Sequence, residues 1–194
     1  FFLIFKREQG MVPGNTIPCS AINQCSTIGK NKAEIAKLRI MDINPNAKVD
    51  VYNFFYDEST AQQIPLNEYD YVIDAIDSMD SKVLLINEAK RLNVGIISAL
   101  SAGNKLDPLK FEVSDIYKTS VCPIAKILRK RLKDCGVPSH KVVYSKEPPV
   151  KLFGQSTEKN GKRNVGSVSF VPSVMGLILA KEAVFDIIER EKND

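Results

Sequence analysis

The spacing of apolar and polar positions divides the chain into helix-sized and strand-sized pieces. Ala33, Ala36, Ile40 and Ile43 recur at intervals of three and four, with Lys32, Lys37 and Arg39 off that stripe, which predicts a helix within Gly29 to Ile43 that Asn44-Pro45 stops. Val49, Val51 and Asn53 alternate with Asp50 and Tyr52 and run into Phe54-Phe55, a strand pattern. Glu58 to Ile64 reads as a short helix before Pro65. The apolar run YDYVIDAID, Tyr69 to Asp77, predicts a buried parallel strand, followed by a helix from Asp80 to about Leu92 and a second apolar strand from Val94 to Leu100. Strand, helix and strand with short joints form a βαβ unit. Two such units in series predict a parallel sheet with helices on both faces, an α/β fold of Rossmann-like type.

The second part of the chain predicts an α+β portion. SAGNKLDP (Ser101 to Pro108) is rich in turn formers, Lys110 to Val113 and Lys141 to Ser145 read as strands, and Pro123 to Cys135 is a basic amphipathic helix with Ala125, Leu128 and Leu132 inward. Between Glu147 and Gly166 the composition turns to Pro, Gly, Lys and Asn, which predicts a mobile crossover loop over 147–166. Pro172 then opens a helix through Leu177, Ala180, Val184 and Ile188.

With 194 residues, 44% of them hydrophobic and 26% charged, the chain fits one globular domain over 1–194 that buries its own core. No apolar run has the length of a membrane span, and Phe1 to Phe5 is short and lacks a basic leader, so a soluble cytoplasmic protein is expected. Cys19, Cys25, Cys122 and Cys135 match neither C-x-x-C pairs nor a dense disulfide framework, which points to reduced thiols. The net charge of +4 conceals an asymmetry: Lys118 to Arg163 holds twelve Lys or Arg against three acids, leaving the remainder at −5. Such a division suits either a polyanion such as RNA or a solvated helix face, and the cluster Lys126, Arg129, Lys130, Arg131 and Lys133 lies within it.

The chemistry-bearing residues stand where ligands of open α/β sheets bind. The strand through Val72 delivers Asp74 and Asp77 to its C-terminal end, an edge at which a carboxylate can hold a hard cation bound to a nucleotide. The alternative reading of D-x-x-D is structural, with the acids capping the next helix through the backbone N–H groups of Ser78 to Ser81.

STIGKNK (Ser26 to Lys32), INPNAKV (Ile43 to Val49), YVIDAIDS (Tyr71 to Ser78), SAGNKLDP, DIYKTSVCPIAKILRKRL (Asp115 to Leu132), VVYSKEPP (Val142 to Pro149) and GSVSFVPSVMGLILA (Gly166 to Ala180) occur in an order that resembles the ThiF/MoeB superfamily of ATP-dependent carboxylate-adenylating enzymes, which includes the ubiquitin-activating enzymes. Within it they are most similar to the tRNA threonylcarbamoyladenosine dehydratase family. The similarity covers 26–188, with 1–25 atypical. It implies ATP and Mg2+ as cofactors, a tRNA partner, a homodimer and a sulfur-transfer partner protein. It also implies activation of the threonyl carboxylate of the modified adenosine, followed by cyclising dehydration. On that likeness Lys32 contacts phosphate and is catalytic, Asp77 is a metal ligand and catalytic, and Asp74 joins Lys32 and Asp77 in cofactor binding. Lys126, Arg129, Lys130 and Arg131 are the candidate nucleic-acid contacts. Cys122, with Val before it and Pro after, reads as a small packed residue rather than a nucleophile.

The chain departs from that pattern at its start. A strand, a G-x-G-G-x-G phosphate turn, a helix, a strand ending in a ribose-binding acid and an Asn-Arg-Gln segment open the relatives; here CSAINQ (Cys19 to Gln24) stands where the last should fall, and the first βαβ unit is lacking. The expectation is an N-terminally truncated or frame-disrupted form, impaired in catalysis, with Phe1 to Phe5 able to serve as a replacement strand on a vacated sheet edge. Two further readings stay open: a non-catalytic tRNA- or partner-binding remnant, and an adenylating enzyme for a sulfur-carrier protein.

Overall fold

The computed structural model describes the backbone of residues 2–5 and, with side chains, residues 29–150 and 166–192. The 147–166 loop therefore lies largely outside the described residues, as do Cys19, Cys25 and CSAINQ. Nine main elements are described: β1 Phe2–Phe5, α1 Lys32–Ile43, β2 Tyr71–Asp74, α2 Met79–Arg91, β3 Gly95–Ala99, β4 Phe111–Asp115, α3 Pro123–Asp134, β5 Lys141–Ser145 and α4 Phe170–Glu191. The strands form one sheet in the order β1-β2-β3-β5-β4.

The expected parallel sheet is mixed. β2, β3 and β5 are parallel, and each edge strand runs antiparallel to its neighbour, β1 on β2 and β4 on β5. Among the described residues one uninterrupted βαβ unit forms, β2-α2-β3, where two in series were expected; the parallel crossover from β3 to β5 passes through β4 as well as α3. The segment Val49 to Phe55 is not a strand. Both sides of β2 are already hydrogen-bonded, to β3 and to β1, so no ladder beside it is left for this segment. Its aromatic residues pack instead: Tyr52 and Phe54 meet edge to face at 5.8 Å and lie against the core, while Phe55 is exposed. The candidate replacement strand at the N-terminus forms, with Leu3 opposite Ile73 and Phe5 opposite Tyr71.

Strand alternation sorts side chains between two helical layers. Val72, Ile96, Val142 and Tyr144 face α2 and α3, where Leu85, Ile86, Ala89, Ala125, Leu128 and Leu132 complete one core. Tyr71, Ile73, Ile97, Phe111 and Val143 face α4. Each fully buried aliphatic side chain contributes about 1.5–3 kcal/mol relative to exposure, so both layers are needed to hold a sheet this small.

The helices follow local signals. Asn31 caps α1 by accepting from the N–H groups of Ala33 and Glu34, and Ser78 caps α2 through Ser81. In α1 only Ala36 of the expected stripe is buried, and Ile43 is exposed. α4 begins two residues before Pro172, which fits the first turn because the N–H groups there have no intrahelical acceptor. Its buried stripe is Val171, Met175, Leu179, Ala183 and Ile187 rather than the expected Leu177, Ala180, Val184 and Ile188. α4 is apolar on two sides, so spacing alone did not select the face; the sheet took the one that interlocks with Ile73, Ile97 and Val143.

Candidate functional site

Alternation along β2 aims Asp74 at the same layer as Val72, and there it is fully buried. Its partner strand and the following helix satisfy it completely. Oδ2 accepts from Lys82 Nζ at 2.7 Å and from Ser98 Oγ at 2.6 Å, while Oδ1 accepts from the Ile76 N–H at 2.9 Å. Ser98 stands directly opposite Asp74 in the β2–β3 register. Lys82 also donates to the Ala99 carbonyl at 3.1 Å, tying α2 to the end of β3.

The chain's single histidine extends this network. His140 Nε2 lies 2.8 Å from Ser98 Oγ. A carboxylate only accepts, so the one Ser98 hydroxyl proton points at Asp74, and the imidazole must donate from Nε2. Nδ1 is then the bare acceptor, and it is buried without a partner among the described residues. Burial first, then the nearby Lys90 and Lys82 charges, push the His140 imidazolium down to a pKa of about 3. The ring is neutral, and the residue is anchored through its backbone N–H, which donates to Asp115 Oδ2 at 2.9 Å.

This framework aims the loop after β2. The Ile76 N–H is gripped by Asp74, Ile76 packs into the core, and Asp77 emerges at the C-terminal edge of the sheet with its side chain exposed. Asp74, expected among the cofactor contacts, has all of its described bonds within the fold and braces the turn that presents Asp77. Lys32 is the first residue of α1 and is exposed just after the Asn31 cap. Among the described residues, neither the Lys32 ammonium nor the Asp77 carboxylate makes a hydrogen bond or ion pair. The Asp77 carboxylate oxygens are therefore accessible at the C-terminal edge of β2.

Just past the end of β5, Glu147 fastens the SAGNKLDP loop. Its carboxylate accepts from the N–H groups of Leu106 at 3.1 Å and Asp107 at 3.0 Å, and its carbonyl accepts from the buried Lys105 ammonium, whose pKa burial lowers. Asn104 bonds to both Gly166 and Val150, drawing the loop toward the start of the α4 segment.

The basic helix divides by role. Arg129 donates to the Thr119 carbonyl at 2.7 Å and to Thr119 Oγ1 at 3.2 Å, closing the turn before α3. Arg131 pairs with Asp80 of α2 at 2.5 Å. Lys126 and Lys130 are exposed. Cys122 is buried at the start of α3, in keeping with a packed residue, and Cys135 is exposed; both are free thiols. Among the described residues no group of three or more His, Cys, Asp or Glu side chains could enclose a metal ion by itself, and no helix is long and apolar enough to cross a membrane.

Lys82, Ser98 and His140 were not among the residues singled out from the sequence. Lys82 carried a readable signal, since it shares the inward stripe of α2 with Ile86 and Ala89, where an ammonium needs a buried anion.

Comparison with known proteins matches residues 21–193 to the ThiF family. The chain is 37% identical over 174 residues to the tRNA threonylcarbamoyladenosine dehydratase of Bacillus subtilis, covering 84% of this chain and 68% of that protein. It is 29% identical to the protein of the same description from Escherichia coli, over 81% of this chain and 66% of that one. The crystal structure of the E. coli tRNA N6-threonylcarbamoyladenosine dehydratase with AMP superposes with a TM-score of 0.78 at 28% identity, covering 88% of this chain and 70% of that chain. The structure of the same enzyme with ATP gives 0.75 at 29% identity, over 87% and 68%.

Proposed function

The chain belongs to the ThiF family, and from that premise we propose that it acts in ATP-dependent activation of the threonyl carboxylate of threonylcarbamoyladenosine in tRNA, followed by cyclising dehydration. The observation that carries the reading is the pairing of an exposed Asp77, unengaged among the described residues, at the C-terminal edge of β2 with a buried Asp74–Lys82 brace that fixes its direction. The likeness to relatives described as dehydratases of this nucleoside, and to a structure holding ATP, supports the substrate class.

In this reading the carboxylate oxygen of the substrate attacks the α-phosphorus of ATP and the bond to pyrophosphate breaks. A nucleophilic atom of the carbamoyl group then attacks the acyl carbon, AMP leaves, and a five-membered ring closes; the net change is loss of water coupled to ATP cleavage. Asp77 suits a hard cation, which when bound would neutralise charge on the phosphates. Lys32, at an exposed helix start, supplies a mobile positive charge toward the phosphate oxygens. Lys126 and Lys130 offer contacts to tRNA phosphates, and a homodimer and a sulfur-transfer partner belong to the same proposal. Residues 1–194 contain no G-x-G-G-x-G turn, so slow turnover is expected from these residues alone.

The test is to incubate the protein with ATP, Mg2+ and tRNA carrying threonylcarbamoyladenosine, and to seek by mass the nucleoside lighter by one water. Product that depends on ATP and falls in the Asp77→Asn variant supports the proposal. A mass shift that is independent of ATP, or unaffected by Asp77→Asn, refutes it. The second reading, a tRNA-binding role without catalysis, is favoured by the exposed lysines of α3; it predicts salt-sensitive tRNA binding with no ATP-dependent product.

A further inference from the structure

A cavity of about 510 Å³ opens at the opposite end of the sheet from Asp77, beneath the N-terminal ends of the parallel strands. Its wall includes Tyr71, Gly95 and Lys141, the first residues of β2, β3 and β5, together with Lys90 near the end of α2 and Arg190 near the end of α4. Glycine at 95 gives room to two of the lining side chains. A Cβ there would stand 2.5 Å from the Tyr71 ring and 3.3 Å from Arg190 Cζ, so the ring and the guanidinium both lie over a bare backbone.

The acids of this cavity are already engaged. Asp186 accepts from the Tyr71 hydroxyl on one oxygen and from Lys141 Nζ on the other, each at 2.5 Å. Lys141 is further held by Glu182 at 3.3 Å. Asp115 accepts from the Tyr117 N–H at 2.8 Å and from the His140 N–H at 2.9 Å. Lys90 and Arg190 differ: neither forms an ion pair with a described residue, yet they face the same cavity. Burial lowers the Lys90 pKa and the Arg190 charge adds to that lowering, with Asp115 opposing. The lining thus holds three cations, Lys90, Lys141 and Arg190, against two carboxylates, Asp115 and Asp186, whose oxygens all accept hydrogen bonds, which leaves the Lys90 and Arg190 donors for a ligand. Asn93 and Ser139 add neutral polar groups to its lining.

We propose that this basal cavity binds a small phosphate-bearing anion, held by the Lys90 ammonium and the Arg190 guanidinium, at a site separate from the nucleotide edge marked by Asp77. The guanidinium suits bidentate contact with two phosphate oxygens, and the ammonium supplies a compact second charge. The volume accommodates a diphosphate or a phosphomonoester of modest size. The proposal does not rest on the adenylation reading, because no residue of the cavity belongs to that edge.

The experiment titrates isotope-labelled protein with inorganic pyrophosphate at constant ionic strength and follows backbone amide shifts, with inorganic phosphate as a parallel arm. Saturable shifts at Gly95, Asn93 and Ser139 are expected, weakened at least tenfold in Lys90→Gln and in Arg190→Gln. Retention of the thermal midpoint in those variants shows that the fold is intact, and the unmutated protein alone decides whether the site exists. Shifts confined to the neighbourhood of Lys32 and Asp77, absence of saturable shifts at millimolar pyrophosphate, or unchanged affinity in both variants would each overturn the proposal.

Discussion

Lys82 and Asp74 form an ion pair at 2.7 Å in which neither side chain is more than 3% exposed. The pair joins α2 to the end of β2, and the second carboxylate oxygen holds the Ile76 N–H, so one buried contact sets both helix docking and loop direction. Removing one partner leaves a charge stranded in the core. Lys82→Met is expected to cost about 3–5 kcal/mol, read as a fall in the urea midpoint. Adding Asp74→Asn, which removes the stranded charge while keeping an acceptor for Ile76, should recover part of that loss. Equal stability of Lys82→Met and the parent would show that the pair is not the brace described.

His140 should make stability depend on acidity. Its folded pKa of about 3 lies below the ordinary histidine value of 6.5, so between those values the unfolded chain binds the proton and the native one does not. The contribution is complete above pH 6.5 and is lost as pH falls toward 3, with a limiting slope of about 1.4 kcal/mol per pH unit. His140→Gln, measured by urea unfolding across that window, should be less stable at neutral pH and show a shallower acid decline than the parent. Parallel pH profiles for the two proteins would contradict a buried neutral imidazole.

The basic helix offers a separation of roles that can be measured. Arg129 is spent on the Thr119 carbonyl, so Arg129→Ala should lower stability by about 1–2 kcal/mol, the scale of a lost charged hydrogen bond that is partly screened. Lys126→Ala and Lys130→Ala remove exposed charges and should leave the thermal midpoint unchanged. If these lysines meet tRNA phosphates, each substitution weakens binding and lowers the salt slope by about one unit per lost contact. A salt slope identical to the parent in the double variant would remove them from the interface.

The sequence made the central elements legible because their signals are local. Strand β5 has the predicted bounds, and α2 and α3 fall within a residue of theirs, each with a cap or proline and one dominant apolar stripe. Val49 to Phe55 misled because a strand requires a free ladder, and whether β2 offers one depends on Phe2–Phe5, far away in sequence. α4 misled for a different reason, since two apolar faces leave the choice to the shape of the sheet. At the site, Asp77 could be placed from its position after an apolar strand. The network around Asp74 was less legible: Lys82 stood out on the inward stripe of α2, but its pairing with Asp74, and the link through Ser98 to His140, join segments that meet only on folding.

Asp74 and Asp77 are three residues apart and should fail in different ways. Asp77 is exposed and unengaged among the described residues, so Asp77→Asn should leave the urea midpoint within about 0.5 kcal/mol of the parent, as surface substitutions usually do. If it holds the cation of a bound nucleotide, the same change should reduce ATP-dependent product on the order of 10–100-fold, and raised Mg2+ should restore part of it. Asp74→Ala removes the acceptor for Lys82, Ser98 and Ile76 together, and should lower stability and product in parallel. The decisive measurement is product formation plotted against midpoint for both variants. Asp77→Asn should fall far below the line that Asp74→Ala defines; if both lie on one line, Asp77 acts only through the fold and has no part in holding the metal.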